Sequence, residues 1–441
     1  MSLLTGCPWA QCHAGADSLE SDSAEDRGED ASVFHACEKE GQTVQASQRS
    51  KVAPFGVMQI VDQVATMRAS GHDVISLCVG EPGGGAPAAV NDLAAKLHAG
   101  HADFGYTSTA GLLETRQALS KHYLDTYGVQ IPARNFVMTT GSSGAFQLAF
   151  LAAFDAGDVV ALARPGYPAY ANILGALGLE VVDLPTGAEQ RYQPTVQLLE
   201  AAKKQHGRLD GLVIASPNNP TGTMFSAQEL SDLASWCEAN GVRLISDEIY
   251  HGIEFVPDRK GHTSWEFSRT SIVVSSFSKY WGMTGWRLGW MIVPDDLVST
   301  VDALASNLAL CAPAPAQRAV VAAFEKQSLD EANERVAEFA RTRAHVLEHL
   351  GSLGISEAAP ADGAFYLYGR LSERVLDRFG TAREYCRQVL ECAQVALTPG
   401  GDFDPFEGHL FIRLSFAAGY EQVAESLERV AAFLRQALPA D

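Results

Sequence analysis

The sequence predicts a three-layer α/β/α fold with a mostly parallel seven-stranded sheet, accompanied by a smaller α+β domain. Three observations support this. Short apolar runs alternate with helical stretches between Phe136 and Val293, which is typical of parallel strands joined by crossover helices. Most polar motifs of this region follow directly after an apolar run, where parallel sheets gather their ligands. From about Ser328 onward, long amphipathic helices surround only two short apolar runs.

Seven apolar runs are interpreted as the strands of the large sheet. They are Phe136–Thr139, Val159–Ala163, Glu180–Leu184, Leu212–Ala215, Arg243–Ser246, Ile272–Ser275 and Trp290–Val293. The segments between them include helices such as Gly144–Ala153 and Ala227–Asn240. We assign residues 96–324 to the domain that this sheet forms.

The smaller domain is expected to combine residues 51–95 with residues 325–441. Apolar residues recur at helical spacing from Val57 to Ser70, and Gly71 is a natural helix stop. The next run, Asp73–Val79, is interpreted as a strand that leads into a glycine-rich loop. Near the C-terminus, the strand patterns are Phe365–Tyr368 and Leu410–Leu414.

Residues 1–50 differ in composition from the rest of the chain. They contain nine acidic and three basic residues and few large apolar ones, so we expect a mobile extension. Potential zinc ligands occur here at Cys7, Cys12, His13, His35 and Cys37. Their spacing matches no closed zinc site, so we predict no metal.

The composition limits the classes of function. The chain has 441 residues, of which 46% are hydrophobic and 20% charged, as in ordinary globular proteins. A formal net charge of −20 disfavours a nucleic-acid or anionic-membrane partner. No apolar run is long enough to span a membrane, and the N-terminus resembles neither a secretory nor a mitochondrial signal. We therefore expect a cytoplasmic protein with reduced cysteines.

The segment from Ser275 to Trp290 has the strongest chemical signal. A polar loop after an apolar run holds Lys279, and Arg287 follows eight residues later. A lysine amine attacks a carbonyl only when it is neutral, and burial near other cations favours that state. An arginine provides such a cation and a fork that binds phosphate. The loop therefore predicts a Schiff base between Lys279 and an aldehyde that carries a phosphate.

Three other segments stand at the ends of strands. Gly141–Ala145 opens a helix, whose N–H groups and dipole favour an anion, although a turn with a serine cap has the same pattern. Ala215–Gly222 contains two prolines and a glycine around Asn219, which by themselves indicate a rigid turn. Asp247 ends a strand, where an aspartate either caps the next helix or faces a ligand.

These motifs together resemble the class I/II aminotransferases, which are pyridoxal 5'-phosphate (PLP) enzymes of fold type I. Ser276-x-x-Lys279 followed by Gly285-Trp286-Arg287-x-Gly289 is similar to the family's lysine signature. Asn219-Pro220-Thr221-Gly222 is similar to its Asn-Pro-Thr-Gly motif. The likeness covers roughly residues 50–436 and implies that PLP is the cofactor, bound to Lys279.

The resemblance also implies roles for other residues. Asp247 is expected to keep the pyridine nitrogen protonated, with Glu248 as the nearest competitor. Tyr250 and Asn219 are expected to bond the 3'-oxygen, and Tyr167 to stack on the ring. The phosphate is expected to contact Ser142, Ser143, Ser276 and Arg287.

Three further residues complete the expected site. Tyr106 matches the tyrosine that reaches the phosphate of the partner subunit, which implies a homodimer. Gly80, in a Gly-Glu-Pro segment, would let the backbone approach the substrate. Arg413 is a lone arginine in an apolar strand, and it would either form an internal salt bridge or bind the substrate α-carboxylate.

The resulting prediction is an aminotransferase that moves an amino group from an L-amino acid to a 2-oxo acid by a ping-pong mechanism. Lys279, Asp247 and Tyr250 are the predicted catalytic residues. A carbon–sulfur β-lyase would use almost the same residues, and a non-catalytic PLP sensor is a more remote alternative. The donor stays open among aspartate, alanine and aromatic amino acids, although no second arginine marks a dicarboxylate and Phe55 hints at an apolar or aromatic donor.

Overall fold

The computed structural model describes residues 45–54, 56–257 and 259–438. A single 3₁₀ turn covers Gln48–Ser50, and the chain from Val52 onward forms one compact unit. Most of the acidic segment, including its cysteines and histidines, lies outside the described residues, and so does Phe55. Among the described helices, none is long and apolar enough to cross a membrane.

The helices are α1 Gly56–Ala69, α2 Ala88–Ala99, α3 Leu113–Tyr127, α4 Gly141–Ala153, α5 Pro168–Leu177, α6 Val196–His206, α7 Ala227–Asn240, α8 Val298–Leu308, α9 Ala314–Ala319, α10 Lys326–Glu348, α11 Glu373–Phe379, α12 Ala382–Gln388 and α13 Tyr420–Ala437. The strands are β1 Ile75–Ser76, β2 Phe136–Thr139, β3 Val159–Arg164, β4 Glu180–Pro185, β5 Gly211–Ala215, β6 Arg243–Asp247, β7 Ile272–Ser276, β8 Gly289–Ile292, β9 Ile355–Ala358, β10 Tyr366–Leu371, β11 Val395–Ala396, β12 Thr398–Pro399 and β13 Phe411–Ser415.

The large sheet has seven strands in the order β2-β8-β7-β6-β5-β3-β4. Only β8 runs against its neighbours, and the other pairs are parallel. Successive strand residues point to opposite faces, so Val160 and Leu162 pack with α4, α5 and α8, whereas Val159 and Ala161 pack with α6 and α7. Helices therefore cover both faces, and the predicted three-layer α/β fold is confirmed.

All seven predicted strands of this sheet are present, with ends that differ by one residue at most. The predicted helix at Ala227–Asn240 has the expected bounds, and the one at Gly144–Ala153 begins earlier, at Gly141. Ser226 explains why the first of these helices begins at Ala227, because its side chain accepts from the N–H of Glu229 and forms a capping box.

A second, antiparallel sheet has four strands in the order β12-β13-β10-β9, and β1 pairs in parallel with β11. The sequence predicted β10 and β13 but neither β9 nor β12. Strand β9 exposes Ser356 and Glu357, so it forms no apolar run, and β12 has only two residues. The predicted strand Asp73–Val79 shortens to Ile75–Ser76. The proposed division into two domains stays a prediction.

Candidate active site

A cavity of about 260 Å³ opens at the carboxyl ends of the parallel strands of the large sheet. Ten of the twelve predicted site residues line this cavity. The ten are Gly80, Ser142, Ser143, Tyr167, Asn219, Asp247, Tyr250, Lys279, Arg287 and Arg413. They come from segments far apart in the chain, so the fold alone concentrates them at one place.

Lys279 lies in the turn after β7, and its Nζ donates a hydrogen bond of 2.7 Å to the Gly80 carbonyl. Burial of the amine lowers its pKa to about 8, and the nearby cations Arg413 and Arg287 act in the same direction, whereas Glu81 opposes them. A useful fraction of the amine is therefore neutral near physiological pH. That is the state in which a lysine attacks a carbonyl or accepts a proton.

Asp247 is the last residue of β6, and its carboxylate is buried. Its Oδ1 accepts the N–H of Ile249 at 3.1 Å, and its Oδ2 accepts the hydroxyl of Tyr170. Burial raises the pKa of Asp247 to about 6, although both hydrogen bonds and Lys279 act against this rise. At neutral pH the site thus holds a desolvated carboxylate, which favours a cationic partner.

Tyr250 and Gly80 are linked through Tyr366, a residue of β10. The Tyr250 and Tyr366 hydroxyls lie 2.9 Å apart, and burial raises the pKa of Tyr250 well above its usual value. A Cβ atom at Gly80 would overlap the Tyr366 phenol. Position 80 therefore requires glycine because Tyr366 fills the space of a side chain, in addition to any approach of the backbone to a ligand.

Arg413 lies in β13 and is 3% exposed. It donates to the side-chain oxygen of Asn219 at 3.0 Å and to the Cys78 carbonyl, and its guanidinium lies 4.6 Å from the Tyr366 ring and 4.7 Å from the Phe403 ring. No ion pair joins it to an acidic residue in the described part of the chain. The internal salt bridge therefore loses support, and a ligand carboxylate becomes the better partner.

The start of α4 is the candidate anion site. Ser142 and Ser143 are in the first turn of this helix, and the Arg287 guanidinium occupies the space beside Gly141 where a side chain would extend. Arg287 has a positive φ of 49°, and it donates to the Thr284 carbonyl at 2.8 Å. Helix N–H groups, two hydroxyls and a guanidinium together match a phosphate.

Ser276 and Tyr106 are the two predicted site residues that do not line this cavity. The Ser276 hydroxyl bonds to the Leu288 carbonyl at 3.0 Å and to the Ser278 hydroxyl at 2.8 Å, and Ser278 is the serine that reaches the lining. Tyr106 is 84% exposed. Their roles stay predictions.

Sequence reasoning missed several lining residues, above all Tyr170 and Tyr366. Tyr167 is the N-cap residue of α5 and Tyr170 is its third residue, so the same turn brings both side chains to the cavity. That closeness in sequence was a usable signal. Tyr366 gave no comparable signal, because a tyrosine in an apolar strand usually packs in a core.

A larger cavity of about 550 Å³ lies next to the first, and Ile249 lines both. Six aromatic residues line it, namely Tyr123, Tyr127, Tyr280, Trp281, Trp290 and Phe324. Ser276, one of the predicted phosphate contacts, also lines this larger cavity. Lys279, Asp247 and Arg413 do not line it. The chemical groups therefore identify the smaller cavity as the candidate active site.

Comparisons with known proteins agree with this geometry. Residues 72–430 match the model of the family described as aminotransferase class I and II. The chain is 43% identical to a valine–pyruvate aminotransferase of Mycobacterium tuberculosis, over 88% of this chain and 97% of that protein. It is 33% identical to a (5-formylfuran-3-yl)methyl phosphate transaminase of Methanocaldococcus jannaschii, over 87% and 97%.

Solved structures give the same result. A crystal structure of an aminotransferase from Mycobacterium tuberculosis superposes with a TM-score of 0.85 at 43% identity, covering 89% of this chain and 100% of that one. Aspartate aminotransferase from Thermus thermophilus with maleate has a TM-score of 0.81 at 26% identity, covering 88% and 99%.

Proposed function

This chain belongs to the family of class I and II aminotransferases, and from that premise we propose that its cavity binds PLP and uses Lys279 as the catalytic base. The reaction transfers the amino group of an L-amino acid to a 2-oxo acid. The observation that carries the assignment is the half-buried Lys279 amine with a pKa lowered to about 8, in one cavity with the buried Asp247 carboxylate and the buried Arg413 guanidinium.

The residues of the cavity fit PLP. The start of α4 with Arg287 suits its phosphate, and the desolvated Asp247 carboxylate suits a protonated ring nitrogen. Tyr167, Tyr250 and Asn219 line the space between these two ends. When bound, PLP supplies a ring that withdraws electrons from the Cα atom of the donor.

Lys279 then acts as a base toward that Cα atom. Its neutral amine accepts the Cα proton and later returns a proton during formation of the product. Since burial and the nearby cations Arg413 and Arg287 disfavour the protonated form, the pKa of this amine is lower than that of an exposed lysine. The lowered pKa places the proton exchange near neutral pH, where a catalytic acid or base is most effective.

We assign Arg413 to the donor α-carboxylate. Two parallel hydrogen bonds from a guanidinium hold a carboxylate in one orientation, which fixes the position of the Cα proton. The Tyr366 and Phe403 rings hold the guanidinium on its faces, and Asn219 holds its edge. This support positions the guanidinium before the donor binds.

We propose that the donor has an apolar side chain of valine-like size and that pyruvate is the acceptor. Apolar residues of the lining include Val57, Met58, Val79, Phe146 and Ile173. The arginines in the described lining are Arg287 and Arg413, both already assigned, so no guanidinium is left for a second carboxylate. The named activity of the Mycobacterium tuberculosis relative agrees with such a donor.

A single-turnover experiment tests this proposal. The purified PLP-loaded protein is mixed with valine, alanine, aspartate or phenylalanine in the absence of a 2-oxo acid, and its spectrum is recorded. We expect conversion to the pyridoxamine form with one equivalent of 2-oxo acid, fastest with valine. Preference for aspartate would contradict the apolar donor. Cysteine is added in a parallel reaction because its thiol can leave from Cβ, and continuous release of pyruvate, ammonia and hydrogen sulfide from it would indicate a lyase instead.

A homodimer and a cytoplasmic location remain part of the proposal. The Tyr106 phenol is 84% exposed, so it is free of this subunit's core and accessible to a second subunit. Light scattering gives the mass in solution, and a Tyr106→Phe variant should lower PLP retention if this phenol reaches the other subunit's phosphate. A fully active monomer would contradict the dimer.

A further inference from the structure

The first turn of α1 forms part of the wall on which a donor side chain would rest. Val57 and Met58 line the cavity, together with Val79. The chain before this turn, residues 51–54, is exposed. Because the first N–H groups of a helix have no partner within the helix, such a turn needs an acceptor from elsewhere to stay fixed.

Asp402 supplies that acceptor. Its carboxylate accepts the backbone N–H groups of Gly56 and Val57, although it lies more than 340 residues later in the chain. The contact is close, since a Cβ atom at Gly56 would lie 2.5 Å from the Asp402 Oδ2 atom. Only a glycine therefore allows the carboxylate to reach both N–H groups.

The turn that holds Asp402 also supports Arg413. Asp402 ends a 3₁₀ turn, Gly400–Asp402, and the next residue, Phe403, places its ring 4.7 Å from the Arg413 guanidinium. The Phe403 carbonyl accepts the N–H of Gly166 at 2.9 Å, immediately before the cavity residue Tyr167. The same turn thus fixes the α1 wall relative to the arginine assigned to the α-carboxylate.

We propose that Asp402 is a positioning residue for donor selection, which holds the first turn of α1 over the cavity so that Val57 and Met58 contact the donor side chain. This inference rests on the proposed L-amino acid donor. Asp402 touches neither the reacting Cα atom nor the α-carboxylate in this arrangement. Its removal should therefore change which donors are accepted more than how fast the proton is moved.

The test compares valine with alanine, because alanine has no side-chain carbon beyond Cβ. In Asp402→Ala, we expect kcat/KM for valine to fall about tenfold and kcat/KM for alanine to fall less than about twofold, the range expected when packing around one or two methyl groups is lost. The spectrum of the bound cofactor should not change, since no cofactor-binding residue is altered.

Two further variants separate the hydrogen bonds from the charge. Asp402 also lies in the field of Arg383 and Arg413, so loss of its negative charge would change carboxylate binding equally for every donor. Asp402→Asn removes the charge but keeps an oxygen that accepts one N–H group, and it should restore part of the valine preference. Gly56→Ala leaves Asp402 intact but pushes α1 away, and it should reduce the preference as Asp402→Ala does.

Asp404→Ala is the matched control. It removes a carboxylate from the same loop, but that carboxylate accepts the N–H of Phe406 within the loop. It should leave the valine-to-alanine ratio unchanged even if it lowers stability. Equal loss for valine and alanine in Asp402→Ala, or an unchanged ratio in Gly56→Ala, would overturn the inference. A wild-type enzyme that prefers another donor contradicts the proposed substrate instead.

Discussion

One wall of the active-site cavity comes from the ends of strands β2, β3, β5, β6 and β7, whereas another comes from α1, the Gly80 loop, β10 and β13. The strand-end wall carries Ser142, Tyr167, Asn219, Asp247 and Lys279. The second wall carries Val57, Met58, Gly80, Tyr366 and Arg413. In the first, Asp247 ends its own strand and each of the others lies within four residues of the end of a strand, so the sheet fixes all of them at once.

The second wall is assembled from distant segments that hold one another. Arg413 depends on Asn219 and two aromatic rings, Gly80 fits against Tyr366, and α1 begins on Asp402. With the proposed residue roles, the strand-end wall binds the cofactor and the second wall selects the donor. Substitutions in the two walls should therefore affect different steps of the reaction, and by different amounts.

The largest effect is expected on the strand-end wall. Lys279→Ala should lower turnover by at least about 10⁴-fold, because both the Schiff base and the base that moves the Cα proton are lost. The absorbance of the Schiff base should disappear, which a spectrum of the purified variant measures. Lys121→Ala, which changes an exposed lysine paired with Asp125, is the matched control and should keep full turnover. Residual turnover of Lys279→Ala near the wild-type rate would remove the central assignment.

Asp247→Asn should lower turnover by roughly 10²–10³-fold, as expected when one fixed charge that stabilises a transition state is removed. Glu248→Gln is its control. Burial raises the pKa of the Glu248 carboxyl to about 8, so this neighbour is mostly neutral at pH 7 and its amide analogue should remain active. If Glu248→Gln were the more damaging change, the two carboxyls would have to exchange roles.

The same Asp247→Asn variant should stabilise the cofactor-free protein at pH 8 by about 1–3 kcal/mol, although it harms activity. The folded pKa of about 6 lies above the ordinary value of 3.8, so the folded state loses stability as pH rises through this window. Urea unfolding of the two apoproteins should show the difference at pH 8 and its disappearance near pH 3, where the carboxyl is protonated in both states. An equal difference at both pH values would exclude ionisation as the cause.

A smaller effect, specific to the donor, is expected from Arg413→Lys. Lysine keeps the charge but not the planar fork, so kcat/KM for the donor should fall by about 100-fold while the spectrum of the bound cofactor is unchanged. Arg287→Lys should show the opposite pattern, with weaker cofactor retention and a nearly normal KM for the donor. Stopped-flow half-reactions and a PLP titration measure the two quantities. Identical patterns in both variants would mean that the two walls do not divide these tasks.

The same division explains what could be predicted from the sequence. The family resemblance could assign Asp247, Asn219 and Lys279, because each lies in a short motif at a strand end, where sequence neighbours are also spatial neighbours. The seven strands were predicted for the same reason, since each is a continuous apolar run. Tyr366, Met58 and Asp402 were missed, because their contacts join segments hundreds of residues apart. Arg413 was noticed because a guanidinium in an apolar strand requires a partner, and the family resemblance then implied the substrate α-carboxylate.

The smallest effect is expected from a substitution of Met58, an exposed residue of the second wall. Met58 lines the cavity but is 51% exposed, so it packs on a donor from one side only. Met58→Ala should lower kcat/KM for valine about twofold to fivefold and leave the value for alanine nearly unchanged, because only part of an apolar contact is lost. Val57→Ala should act more strongly, since Val57 is 5% exposed and also packs in the core with Phe403. An unfolding midpoint that falls for Val57→Ala but not for Met58→Ala would separate core packing from donor contact. If Met58→Ala altered both donors equally, the first turn of α1 would be a cover for the cavity and not a surface that selects the donor.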